Sequence, residues 1–190
     1  MSGLGNYGIP ADLAKEAAKL SASRFQLLVP ETVTRKKGIA RWNEAVQVKG
    51  AFRETVTSGA GDEHVVFTIN TVVLAGTDTP NEGRNYTFSA RINYDSLGRS
   101  ADDGQRMMSM GTVNKLIQVA QAAASDLFDE EVGLTEQVVD TLFPLKESDD
   151  TSMLEGAKLV LVMTDNEDPK KQFNDRNAQE VRSILPYTEE

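Results

Sequence analysis

Basic side chains and a few aromatic rings are the residues of this sequence whose types indicate a ligand. Cations bind phosphate groups and flat rings stack on bases, so together they can hold a single nucleic-acid strand without reading its sequence. The candidate cations are Arg35, Lys36, Lys37, Arg41, Lys49, Arg53, Arg84 and Arg91. The candidate rings are Trp42, Tyr86 and Tyr94. For each cation taken singly, ordinary exposure to solvent is the alternative.

Half of the candidate cations lie in one short segment around Gly38. Residues 35–37 (RKK) precede this glycine and Arg41 follows it. Such an arrangement is typical of an exposed turn, and an exposed basic turn can follow a phosphate backbone. We therefore expect this segment to contribute to binding through charge alone.

Strand alternation predicts that three further cations point to solvent. Lys49 and Arg53 fall on the face opposite Phe52 and its apolar neighbours, because successive side chains of a strand point to opposite sides. Arg91 likewise lies opposite the apolar residues of its own strand. These three cations are therefore predicted to lie on the outward faces of their strands.

The three rings differ in how well their positions suit stacking on a base. Trp42 follows Arg41, and both base stacking and anchoring in the core are open for it, because tryptophan is usually substantially buried. Tyr86 shares an apolar strand face, which favours the core. Tyr94 lies at the end of that strand, where a base can reach it.

No constellation in the sequence supports catalysis, a metal site or a cofactor. The chain has one histidine, His64, and no cysteine, so thiol chemistry and the usual structural zinc site are excluded. Acidic clusters such as Asp102-Asp103 lack the spacing of a calcium loop. We therefore expect a protein that is not an enzyme and that holds neither a metal nor a cofactor.

Charge is unevenly distributed along the chain. The net charge is −9, but residues 21–120 carry 12 Lys and Arg against 10 Asp and Glu, whereas residues 121–190 carry 6 against 17. This asymmetry indicates a binding surface followed by a competing acidic region, with an unevenly charged solvated surface as the alternative. The absence of a signal peptide and of an apolar run long enough for a bilayer predicts a cytoplasmic protein without a membrane partner.

The order of secondary-structure elements predicts a small antiparallel barrel. The predicted elements are a helix at 10–20, strands at 46–56, 65–74 and 85–92, a polar connection at 95–110, helices at 112–124 and 134–142, and strands at 156–165 and 180–186. Three strands, a helix and two strands are the order of the oligonucleotide-binding (OB) barrel.

Three segments resemble the single-stranded DNA-binding proteins of bacteriophages. Tyr86 to Tyr94 (YTFSARINY) is similar to their third strand, and Met108 to Ala124 (MSMGTVNKLIQVAQAAA) to the segment that places a small helix after it. Leu154 to Pro186 is similar to their closing strand pair. The resemblance covers roughly residues 45–186; it leaves out an insert at 125–150 and the N-terminal extension.

We therefore predict a mainly β protein with helices: an N-terminal helix and basic arm (1–44), an OB-like five-stranded antiparallel barrel (45–186) with a helical insert at about 112–150, and a short acidic tail (187–190). The resemblance implies single-stranded DNA binding without strong sequence preference in phage or viral replication or recombination, inside the host cytoplasm. It also implies replication or recombination proteins, bound through the acidic C-terminal region, and further copies of the chain as partners. The alternative is a virion structural or assembly protein whose barrel core and N-terminal arm pack against copies of itself.

Overall fold

The computed structural model describes residues 7–19, 25–26, 41–74, 81–165, 172–173, 176–177 and 179–189. The strands are β1 Ile9–Pro10, β2 Phe25–Gln26, β3 Arg41–Thr57, β4 Glu63–Val73, β5 Asn85–Ile92, β6 Gly133–Leu134, β7 Lys158–Asp165, β8 Gln172–Phe173, β9 Arg176–Asn177 and β10 Gln179–Pro186. The α-helices are α1 Ala11–Lys19, α2 Gly104–Ala123 and α3 Glu136–Leu142, and two 3₁₀ turns span Tyr94–Gly98 and Ser125–Leu127.

Five long strands and the short β2 form one antiparallel sheet in the order β2-β10-β7-β3-β4-β5. The strands β3, β4 and β5 are successive neighbours, and β7 returns through a long helical connection to lie beside β3. This arrangement is a Greek key. The predicted antiparallel sheet, with helix between its third and fourth long strands, is confirmed. Within the described residues, pairing does not join the edge strands β2 and β5, so the sheet is open.

The strand β3 changes register at a β-bulge between Val48 and Gly50. A bulge inserts one residue into one strand, and a shift of one residue exchanges the faces of every side chain beyond it. Val46 and Val48 face the core before the bulge, whereas beyond it Arg53 faces the core and Phe52 faces outward. The predicted outward position of Arg53 is therefore wrong, because the strict alternation on which it rested is broken at Gly50.

The helix α2 begins at Gly104 rather than at residue 112. The carboxylate of Asp103 caps it by accepting hydrogen bonds from the backbone N–H groups of Gln105 and Arg106, both at 3.0 Å, as is preferred at helix N-caps. The predicted polar connection over 95–110 is wrong, because the buried Arg106 interrupts an apolar pattern without interrupting the helix. Its guanidinium is neutralised by Glu16 of α1 through two hydrogen bonds of 2.8 and 2.9 Å.

The N-terminal helix is attached to the body by backbone pairing as well as by that ion pair. β1 pairs with β6 through Ile9 and Leu134, which places the start of α3 at Glu136, two residues after the predicted position. Gly133 has φ +84°, and a Cβ at this position would lie 2.1 Å from the carbonyl oxygen of Ile9. The close approach of β1 and β6 therefore requires glycine here.

The core lies between the sheet and α2, which is buried along most of its length. This helix packs against β5, β10 and α1. Lys115 forms part of the contact between α2 and β10, since its Nζ donates a hydrogen bond to the backbone carbonyl of Arg182. Burial lowers the pKa of Lys115 to about 8. No α-helix in the described ranges is long and apolar enough to cross a bilayer.

Candidate nucleic-acid interface

The side of β3, β4 and β5 that faces away from the core carries the candidate interface. Cross-strand register places Phe52, Thr68 and Ser89 in one row over the three strands. The row on one side contains Asn70 and Thr87, and the row on the other contains Glu54, Val66 and Arg91. We call the following side chains the outer face: Phe52, Glu54, Thr68, Asn70, Thr87, Ser89 and Arg91. The outer face thus carries one ring, one cation, one carboxylate and four groups that form hydrogen bonds, of which Thr68 is buried.

The ring of Phe52 is half-buried at the centre of β3. The ammonium of Lys146 lies 5.5 Å from the ring centroid, within the range of a cation–π contact. Lys146 is held there by an ion pair of 2.9 Å to Glu54 and by its backbone N–H, which donates to the carbonyl of Arg53 at 2.9 Å. Phe52 and Lys146 thus form a ring-and-cation pair that the sequence analysis missed.

The predicted cations have different surroundings. Arg91 is exposed, and its guanidinium makes no hydrogen bond or ion pair within the described ranges. Lys49 is exposed and donates to Oε1 of Gln47 at 3.0 Å. Arg41 is exposed at the start of β3, and Arg84 is half-buried just before β5. The predicted basic turn, Arg35, Lys36 and Lys37, lies outside the described residues.

The side chain of Arg53 is buried in contacts within the protein and does not belong to the candidate interface. It forms an ion pair of 2.6 Å with Asp140 of α3. It also donates to the carbonyl of Phe143, and its guanidinium carbon lies 5.5 Å from the ring centroid of Tyr7. Arg53 therefore links β3 to α3 and to the N-terminal segment, and it is not available to a phosphate.

Neither of the two rings proposed to stack on bases lies on the outer face. Trp42 is buried in β3, and its Nε1–H donates to Glu44 at 3.1 Å. The Tyr94 hydroxyl donates to the carbonyl of Tyr7 at 2.8 Å, and the two rings meet edge to face. Burial raises the pKa of Tyr94 above its ordinary value. Both rings therefore make contacts within the protein rather than with a ligand. The residues from Arg41 to Glu44 belong to β3 and not to the predicted N-terminal arm.

A buried polar cluster around Glu44 also escaped the sequence analysis. Oε1 of Glu44 accepts hydrogen bonds from Trp42, Asn81 and the Tyr86 hydroxyl. Burial, and next the negative charge of Glu44, raise the pKa of Tyr86 above its ordinary value. The cluster joins β3, β5 and the turn before β5. Tyr86 is in the core, as predicted.

A polar cleft of about 210 Å³ lies at one end of the outer face, where β4 begins and β5 ends. It is lined by Ser58, Asp62, His64, Arg91, Asn93, Gln105, Met108 and Ser109. Its walls therefore come from the β3–β4 turn, the sheet and the first turns of α2. In the sequence, Gly50 indicates the bulge and the glycines at 59 and 61 indicate the β3–β4 turn. No sequence pattern indicates that α2 reaches the cleft.

The described part of the chain contains no group of three or more His, Cys, Asp and Glu side chains placed to hold a metal ion. No protein-family model, no curated protein and no solved structure matches the chain. The outer face and its cleft are therefore the features of this chain from which a function is inferred.

Proposed function

We propose that this protein binds single-stranded DNA on the outer face without strong sequence preference, as a bacteriophage-type single-stranded DNA-binding protein does in replication or recombination. The observation that carries the proposal is the position of Phe52: the bulge in β3 brings this ring outward, among hydroxyl and amide side chains and near exposed cations. A base stacks on the ring, and Lys49, Arg91 and Lys146 attract the phosphates on either side of it.

The topology supports an OB-like barrel for this purpose. In that fold the face of the second and third strands and the loop between the first two strands bind oligonucleotides. The corresponding elements of this chain are β4, β5 and the turn at 58–62, which contribute to the outer face and its cleft together with β3 and the first turns of α2. The short β2 pairs with β10 and also contacts β5, which favours curvature of the sheet toward closure.

The electrostatics of the outer face fit a strand bound by its backbone. Arg91 has no acidic partner in the described ranges, and the ion pair of Lys146 with Glu54 is exposed on both sides. Exposed pairs contribute little and exchange readily, so a phosphate can replace the carboxylate. Each phosphate contact of this kind adds about 0.7 to the slope of log affinity against log salt for a single strand.

Fluorescence anisotropy of a labelled oligodeoxythymidine at two salt concentrations tests the proposal. The change Phe52→Ala should weaken binding at least about fivefold, because a base–aromatic stack contributes about 1–3 kcal/mol, and Phe52→Trp should preserve it. Met153→Ala is the matched control, since it truncates an exposed apolar side chain outside the outer face.

Two results would contradict the proposal. One is the absence of salt-sensitive binding by the parent protein; together with a molecular mass that rises with concentration, it would favour a virion assembly protein. The other is equal affinity of the parent and Phe52→Ala, because the outer face would then not be the binding surface.

A further inference from the structure

The imidazole of His64 lines the cleft at the end of the outer face and has one buried atom without a hydrogen-bond partner. His64 is 9% exposed, and its Nδ1 is buried and forms no hydrogen bond. A buried nitrogen of this kind is rare in native proteins, because it loses its bonds to water without replacing them. The cleft is large enough for a ligand group beside the imidazole of His64.

The polar groups of the cleft fall into two sets. Asn93 and Ser109 are committed to internal hydrogen bonds, Asn93 through Ser96 and Ser109 through the backbone of Asn93. Oε1 of Gln105 accepts from Arg99 at 2.7 Å. These bonded atoms build the wall, whereas the amide NH₂ of Gln105 makes no hydrogen bond within the described residues.

The second set has no such partners within the described ranges. It contains the guanidinium of Arg91, the carboxylate of Asp62 and Nδ1 of His64. The Asp62 carboxylate accepts no hydrogen bond there, although the backbone N–H of Asp62 is bound by Ser58 at 3.1 Å. A ligand that satisfies this set carries an anion for Arg91 and a hydrogen-bond donor for Asp62. The exposed Met108 adds an apolar wall.

We propose that the cleft receives one nucleotide of the bound strand and prefers a base with an exocyclic amino group. Arg91 holds the phosphate, Met108 packs against the plane of the base, and the carboxylate of Asp62 accepts a hydrogen bond from the amino group. The base then lies beside the imidazole of His64, which lines the cleft. This inference rests on the proposed function, to which it adds a base preference at one position.

Comparing the binding of cytosine with that of uracil separates this preference from the effects of base size and stacking. The two bases have nearly the same shape, but cytosine presents an amino donor where uracil presents a carbonyl acceptor. A carboxylate accepts from the amino group of cytosine and repels the carbonyl oxygen of uracil. We therefore expect the protein to bind oligodeoxycytidine about tenfold more tightly than oligodeoxyuridine, as is typical for a hydrogen bond to a charged group.

The affinities of the parent, Asp62→Asn and Glu63→Gln for the two oligonucleotides test this inference. Asp62→Asn should bind both oligonucleotides equally. Glu63→Gln is the matched control, because it removes the same charge from an exposed neighbour outside the cleft, and it should keep the preference for cytosine. If the parent lacks the preference, or Asp62→Asn retains it, the inference is overturned while the proposed function stands. If neither oligonucleotide binds, both are overturned.

A spectroscopic measurement locates the base independently of affinity. His64 is the only histidine and Trp42 the only tryptophan in the chain, so each gives unique side-chain nuclear magnetic resonance signals. Trp42 and the cleft lie at opposite ends of β3. On addition of oligodeoxycytidine, the imidazole signals of His64 should shift and the indole signal of Trp42 should not. Unchanged His64 signals at saturation would overturn the inference.

Discussion

Lys158 and Glu189 form an ion pair that folds the C-terminal end of the chain back onto the sheet. Nζ of Lys158 lies 2.7 Å from Oε1 of Glu189 and 5.1 Å from the ring centroid of Tyr187. The hydrogen bond lowers the pKa of Glu189 and raises that of Lys158. Lys158 lies opposite Gln47, which accepts a hydrogen bond from Lys49. Glu189 thus neutralises Lys158, a cation beside the proposed path of the bound DNA strand.

The first prediction concerns this acidic end, which the sequence analysis assigned to competition with phosphate. Glu189→Gln, or deletion of residues 187–190, should leave the fold intact and tighten binding of single-stranded DNA a few-fold at low salt. The gain should disappear at high salt, since exposed ion pairs are screened. Anisotropy titrations at two salt concentrations measure it. Glu130→Gln changes the charge equally at an exposed site, and an equal gain in that control would contradict specific competition.

The second prediction concerns the basic segment, of which residues 35–37 lie outside the described ranges. Replacing Arg35, Lys36, Lys37 and Arg41 with alanine should weaken binding to every sequence alike, because phosphate contacts carry no base information. The slope of log affinity against log salt should shrink by about 0.7 for each lost contact. An identical slope in the parent and the variant would remove the segment from the binding surface and favour a role in self-assembly.

The third prediction separates Arg53 from the binding cations. Arg53→Met should lower the free energy of unfolding by about 3 kcal/mol. The buried guanidinium donates a hydrogen bond to the Phe143 carbonyl and forms an ion pair with Asp140. Removing one partner of such a buried network leaves the others without their bonds, which is costly. Urea denaturation measures the loss. In conditions where the variant is folded, its salt slope should equal that of the parent, whereas Arg91→Met should reduce the slope without a loss of stability. A reduced slope in Arg53→Met would return this residue to the interface.

The fourth prediction follows from the buried Lys115, whose pKa is about 8 in the folded protein against an ordinary value of 10.5. Between these values the unfolded chain binds more protons than the folded one, so stability rises with pH. The full effect is up to about 3 kcal/mol. The free energy of unfolding of the parent should increase from pH 7.5 to 9.5, and Lys115→Met should flatten this increase. Parallel pH profiles for the two proteins would contradict a lowered pKa of Lys115.

Sequence patterns were sufficient to predict the local elements whose period is uninterrupted. The alternation of apolar and polar residues over 85–92 predicted β5 and both of its faces, because no bulge shifts that strand. The apolar spacing after Pro10 predicted α1, and the glycine and apolar run from Gly156 predicted the strand that pairs beside β3. In each case a short-range pattern was sufficient to decide the structure.

Which side chains reach the candidate site depends on packing between distant parts of the chain. The bulge at Val48–Gly50 turned Phe52 outward and Arg53 inward, because a one-residue shift reverses both faces of a strand. The cleft required the β3–β4 turn, β5 and the start of α2 to meet, and this depends on the packing of α2 against the sheet. Sequence patterns report burial along one element, whereas a binding site is made by elements that are distant in the chain.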